Sequence, residues 1–172
     1  MATPSPARHR GLAARRRPGS KDPRCAIGPG PRVCVVELHP ELQEAIDTGV
    51  HGHLVTIGTD GRPQVSLIWL GRDDDELLVA HPGAGQKMRN VEHDPRVAVS
   101  FEVPGTAGPG LARYAVVHGT ARLTEGGAPE LLQALAPRFL GTGVRFPPMD
   151  DPPPGRIMHI TVERVTGNGP WA

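Results

Sequence analysis

The residues best suited to chemistry lie between Pro82 and Pro95, in Pro82-Gly-Ala-Gly-Gln-Lys-Met-Arg-Asn-Val-Glu-His-Asp-Pro95. Glycines at 83 and 85 open a short helical pattern, and Lys87 falls in its first turn. The first N–H groups of a helix have no partner inside it, so a glycine-rich start with a nearby ammonium suits a phosphate. Lys87 and Asn90 are three apart and share one helix face; Met88 and Val91 share another. A second polar set comes from Leu54–Trp69, two β-rich runs around Asp60-Gly61. Asp-Gly between apolar runs signals a hairpin, because both residues tolerate positive φ. On the return strand Gln64, Ser66 and Ile68 point one way, and Val65, Leu67 and Trp69 the other. The first face is polar enough to meet a ligand, and the second is expected to be core. An ordinary half-buried hairpin has the same pattern.

Other reactive types give weaker signals. His51 and His53 lie two apart with no third metal ligand in view, which favours a structural or exposed pair. His81 follows a strand and is a candidate to line the site, while His118 and His159 fit barrel strands as satisfied interior or interface residues. Asp73, Asp74 and Asp75 lack the alternating oxygen ligands of a calcium loop and fit a solvated turn. No Ser-His-Asp or Cys-His arrangement emerges from the spacings. Cys25 and Cys34 make no metal spacing and fit incidental thiols of a reducing compartment.

Composition narrows the function classes. The chain has 172 residues, enough for one domain with a sizeable core, and its formal net charge is +1. No global field draws it to nucleic acid or a membrane surface, and 3% aromatics is too few for repeated base stacking. No run reaches the length of a transmembrane helix, and Arg15-Arg16-Arg17 is followed by Pro18 and Gly19 instead of an apolar stretch. A soluble, cytoplasmic protein is expected, without nucleic-acid or membrane partners.

The elements that must position these residues follow in order. Residues 1–32 are rich in Arg and Pro, bury too little to offset ordering entropy, and are expected to be a disordered tail ahead of a single domain over residues 33–172. The abrupt change at Val33 also fits a true start at Val33, Val35 or Val36. Leu38–Thr48 reads as a helix with Pro40 in its first turn, Gly49 as its cap and a Leu42, Ala45, Ile46 stripe. After the hairpin come strands at Leu77–His81, Arg96–Val103, Arg113–Leu123 and Arg156–Val165, and a helix over Pro129–Leu140. Residues 104–112 read as a breaker-rich loop, and residues 141–155, with five prolines, as an extended one. About six strands and three helices suggest a small barrel closed by helices, a mainly β (α+β) fold. Trp69 fits the core or an interface, and Trp171 fits either its own subunit or a cap on a partner.

Five segments in this order resemble the split-barrel flavoproteins related to pyridoxamine 5′-phosphate oxidase, most closely the branch that uses the deazaflavin coenzyme F420. They are Asp60-Gly-Arg-Pro-Gln-Val-Ser66, Gln86-Lys-Met-Arg-Asn90, Asp94-Pro-Arg-Val-Ala98, Tyr114-Ala-Val-Val-His-Gly-Thr-Ala121 and Val165-Thr-Gly-Asn-Gly-Pro-Trp171. The resemblance spans residues 38–171. It implies a six-stranded split β-barrel with flanking helices, of the FMN-binding type, forming a homodimer with two interface cofactor sites. By the same resemblance Gln64, Val65 and Ser66 lie along the tricyclic ring, Gln86, Lys87 and Asn90 lie near the cofactor phosphate, and Tyr114 reaches the site from its strand. The implied activity is an oxidoreductase passing a hydride between coenzyme F420 and a small unsaturated organic substrate, with no essential catalytic acid or base. The same fold using FMN, or a non-catalytic cofactor or haem binder, is the alternative. Gly85 departs from relatives, which often carry a basic or hydroxyl-bearing residue two before the lysine. The ending lacks the Arg-Leu-x-Pro of the B6 oxidase, which argues against B6 oxidation.

Overall fold

A computed structural model of the chain describes residues 24–25, 34–83 and 85–172. Its strands are β1 (Arg24–Cys25), β2 (Cys34–Val35), β3 (His51–Ile57), β4 (Pro63–Trp69), β5 (Gly71–Asp73), β6 (Glu76–His81), β7 (Arg96–Ala107), β8 (Leu111–Glu125) and β9 (Arg156–Asn168). Its helices are α1 (Pro40–Thr48), α2 (Gln86–His93) and α3 (Ala128–Leu140). The expectation of a disordered tail lies largely outside the described residues. Of the tail only β1 is described, and it pairs antiparallel with β2 just beyond.

The other strands form one antiparallel sheet in the order β4-β3-β7-β8-β9-β6-β5. Seven strands stand where six were expected, because Gly71–Asp73 forms a short strand against β6 through a tight turn at Asp74, whose φ is 48°. That strand has a particular role. Only the fully buried Leu70 separates β4 from β5, so both ends of the sheet order are one stretch of chain. The sheet therefore bends round on itself as a split barrel.

Alternation along the strands builds the interior. Leu54, Val99 and Val117 are cross-strand neighbours on the inner face, and Phe101, Leu77, Val79, Met158, Ile160 and Val162 join them in one apolar cluster. Leu42 and Ile46 of α1 and Met88 and Val91 of α2 enter the same cluster. The sequence cues of α1 hold: Pro40 opens it, and Gly49 caps it in the left-handed region at φ 102°. α3 packs outside, with Leu135 near Gly71, and Phe139 stacks on Trp69 at 4.9 Å. Phe146 closes on the same indole at 4.8 Å. Trp171 lies on its own chain, donating from Nε1 to the Tyr114 carbonyl at 3.1 Å beneath the Arg113 guanidinium.

Two local expectations need correction. Residues 104–112 are not a free loop: β7 runs to Ala107 and β8 starts at Leu111, with a register shift between Val103 and Thr106 and a turn at Gly108–Gly110. The Pro and Gly residues produce a bulge in the hairpin instead of ending it. In the β3–β4 turn only Gly61 takes positive φ, at 78°, while Asp60 accepts the Arg62 N–H at 3.1 Å. Among the described residues no helix is long and apolar enough to cross a membrane.

β8 carries an irregularity against β9 between His118 and Gly119, where the backbones approach closely. A Cβ at 119 would lie 2.1 Å from the Thr161 carbonyl oxygen, a backbone atom that cannot swing aside. Gly119→Ala is expected to destabilise the protein by about 3 kcal/mol, the upper part of the overpacking range, read as a lowered midpoint in urea unfolding.

Candidate functional site

The β3–β4 turn and the start of α2 face each other across a crevice of about 360 Å³. Gly58, Thr59, Asp60, Arg62, Pro63 and Gln64 line one side, and Gln86 and Asn90 the other. This is near the lower end of the roughly 300–1,000 Å³ typical of small-molecule sites. The turn keeps its shape through Gly61 N–H donating to the Gly58 carbonyl and Gly58 N–H donating to the Arg62 carbonyl, each at 2.8 Å.

Asn90 ties the two sides together. It is 0% exposed, and its Nδ2 donates to Thr56 Oγ1 at 2.9 Å and to Gln64 Oε1 at 2.8 Å. Its Oδ1 accepts from Gln86 Nε2 at 2.8 Å, and Gln86 Oε1 accepts from Arg89 at 2.7 Å. Both amide protons of Asn90 are thus used within the protein, which makes it a positioning residue and leaves no N–H for a ligand. Gln64 has its oxygen held, so its Nε2 amide is directed away from Asn90. Gln64 and Ser66 share a strand face, as the alternation implied.

The opening of α2 has no side-chain cap, since Gly85 is the N-cap residue. The backbone N–H groups of Met88 and Arg89 turn back to the Gly85 carbonyl, which leaves those of Gln86 and Lys87 outside the helix ladder. Lys87 is half-buried, forms no ion pair among the described residues, and has its pKa lowered by burial. A half-buried cation with no acid partner among the described residues fits an anionic ligand. Beside it, His81 has its Nδ1 2.7 Å from the Gly83 carbonyl oxygen and 3.1 Å from the Gly83 nitrogen. Burial lowers the His81 pKa, the Gly83 carbonyl raises it, and Lys87 lowers it further. The His81 ring fills the space where a side chain at 85 would stand, with Cε1 and Nε2 both 2.7 Å from an ideal Cβ there. Lys87, His81 and the open amides suit a phosphate; Gln64 and the β3–β4 turn suit the polar edge of a larger group.

The structure brings Gln64, Gln86 and Asn90 into hydrogen-bond range and sets Lys87 on the same helix turn, although Lys87 does not line the crevice. Val65 departs from expectation. It is 61% exposed and Leu67 62%, so the face expected to be core is outside, while Ile68 on the Gln64 face is buried. An apolar outward face and an apolar inward face read alike in sequence. Tyr114 is separate within one chain. It pairs with Glu102, whereas α2 joins β7 near Arg96, the partner of Thr120, six residues or about 20 Å along β8. Sequence reasoning missed Thr56, the inward hydroxyl opposite Gln64. Strand alternation placed it inside with Leu54, and a hydroxyl there needs a partner. His51 and His53 are both exposed, His51 edge-on to Phe139 at 4.8 Å, and no metal cluster occurs among the described residues.

The pyridoxamine 5′-phosphate oxidase family model matches residues 38–169. The chain belongs to this family. The match takes in the whole barrel and both sides of the crevice. Among solved structures similar to this family member is an F420 reductase, at 25% identity and a TM-score of 0.57, covering 72% of this chain and 94% of that one. A putative pyridoxamine 5′-phosphate oxidase from Listeria innocua superposes at TM-score 0.54 with 18% identity, covering 74% and 94%. A heme binding protein from Mycobacterium smegmatis has TM-score 0.54 and 20% identity, over 80% of this chain and 57% of that one. At such identities the last two are likenesses of fold.

Asn90→Leu keeps the branched four-heavy-atom skeleton and removes the amide that Thr56, Gln64 and Gln86 bond to, stranding the Thr56 hydroxyl. The expected loss is about 2–3 kcal/mol of unfolding free energy, measured by denaturant titration, because an unpaired buried polar group carries its full desolvation cost.

Proposed function

We propose that this family member is an oxidoreductase that binds the deazaflavin coenzyme F420 and exchanges a hydride with a small unsaturated organic molecule. The observation carrying this reading is the junction of the Gln64 strand and the α2 opening around one crevice, with the half-buried Lys87 beside it. The likeness to an F420 reductase over 94% of that chain supports the choice of cofactor. When bound, the deazaflavin supplies the two-electron chemistry. Lys87 and the Gln86 and Lys87 amides hold the phosphate, and the Nε2 of Gln64 orients the ring edge, with Ser66 beside it. Val65 contributes through its backbone, since its side chain points outward. No acid or base in the crevice is required, and the protein's part is orientation and exclusion of water.

A homodimer belongs to the same proposal. Val65 and Leu67 leave an apolar strip on the outer face of β4, a surface that a second copy would cover. Tyr114 is about 20 Å along its strand from α2, so it enters a site next to Lys87 from the opposite subunit.

In a fluorescence titration of apo protein, F420 is expected to bind and Lys87→Ala to weaken it by about 1–3 kcal/mol, the scale of a charge-assisted hydrogen bond. That is about 5- to 150-fold in Kd. FMN and haem titrated into the same preparation decide the cofactor. Tight FMN binding with none of F420 selects the flavin version of the reading. Tight haem binding without turnover selects a non-catalytic carrier.

A further inference from the structure

We propose that Cys25 and Cys34, set directly opposite each other by the β1–β2 pairing, are a dithiol that closes reversibly into an intrachain disulfide. They are the only cysteines in the chain, and eight residues lie between them. That spacing matches no metal-binding pattern, and by spacing alone the two are unrelated. Register relates them. β1 runs antiparallel to β2 with Arg24 opposite Val35 and Cys25 opposite Cys34. Directly opposed residues of an antiparallel pair share one face, with Cα atoms about 4.5 Å apart in one kind of pair and about 5.5 Å in the other. A disulfide needs a Cα separation of about 4.4–6.8 Å, so either kind of pair admits the bond without backbone movement. A slip of one residue would put the two cysteines on opposite faces.

The surroundings give the bond a consequence. The segment between the cysteines, Ala26-Ile-Gly-Pro-Gly-Pro-Arg-Val33, holds two Gly-Pro pairs, a turn-forming composition. Beyond Cys34 the chain enters the barrel at once: the Val36 N–H donates to the Val162 carbonyl at 2.9 Å, and Leu38 is buried in the core. Cys34 therefore stands two residues from a fixed point on β9, and a bridge to it ties Cys25, with the chain before it, to the barrel. Both cysteines precede residue 38, where the family match begins, so the pair belongs to this chain's own N-terminal segment.

The oxidant is a small disulfide of the glutathione class. One cysteine loses its proton to solvent, and its thiolate attacks a sulfur of the oxidant, breaking that S–S bond and expelling one small thiolate. The second cysteine, deprotonated in turn, attacks the protein sulfur of the mixed disulfide and expels the other. The protein loses two electrons and two protons, and the oxidant takes them up as two thiols. Strand pairing favours the second step, because it has already closed the loop that the bond must close.

The test uses the full chain, equilibrated without oxygen in mixtures of reduced and oxidised glutathione, trapped with N-ethylmaleimide and weighed intact. The protein is expected to pass from two labels to none, with the singly labelled glutathione adduct a minor species. The midpoint gives the effective concentration of one thiol toward the other. It is expected to be at least about tenfold higher in native protein than in urea-unfolded protein, where the same loop closes at random. Trypsin cuts after Arg24 and Arg32, so the oxidised protein is expected to release Cys25–Arg32 joined to the peptide that begins at Val33. Cys25→Ser and Cys34→Ser are each expected to stop at the glutathione adduct. Equal effective concentrations in native and unfolded protein would overturn the proposal, as would joined peptides found only in a species of twice the mass. So would protein isolated from its own cells with an N-terminus beyond Cys25. None of these measurements involves a cofactor, so the function proposed above stands or falls separately.

Discussion

The constraint on which the rest depends is the continuity of chain through Leu70. One strand pairs with β3 before that residue and with β6 after it, so the sheet is held at both ends by a single covalent link. Leu70 is fully buried and cannot turn outward without opening the barrel. Gln64 lies on the first part of this strand, and His81 on the strand paired with the second. Their separation across the α2 opening is therefore fixed by sheet geometry and owes little to loops.

Within that frame the polar chemistry is confined to one well-satisfied cluster. Asn90 is a costly residue to bury, and its amide is offset by three partners from β3, β4 and α2. Among the described residues no buried side-chain polar atom lacks a partner. Lys87 is the contrast: it is half-buried, carries its charge beside the same helix turn, and forms no ion pair among the described residues.

Much of this was legible in the sequence because it is encoded locally. The first helix announced itself through Pro40, the Leu42–Ile46 stripe and Gly49, and the β3–β4 hairpin through Asp60-Gly61. The glycine-opened helix before Asp94-Pro95 was equally plain. What was lost depends on partners distant in sequence. β5 is three residues long and exists only because β6 is beside it, so no periodicity could disclose it. Val65 and Leu67 were placed inside because alternation gives a face but not its direction. The offset of Tyr114 from the end of α2 follows from the β7–β8 register, which no local pattern contains. His81 is legible as a strand-end candidate to line the site, but its packing against Gly85 depends on how β6 meets α2.

The central position of β9 bears on how the molecule is made. This strand is the last in the chain, yet it lies between β8 and β6, and β6 has only the three-residue β5 as its other neighbour. As the polypeptide leaves the ribosome, β3, β4, β7 and β8 can assemble into a four-stranded sheet from adjacent segments. The β5–β6 ribbon meanwhile waits for a partner some 80 residues downstream, as the pairing of Glu76 with Thr161 records. Until synthesis reaches that strand, the apolar inner faces of β6 and β8 remain open to water and to other nascent chains. For this architecture the vulnerable interval is the one between synthesis of β6 and synthesis of β9.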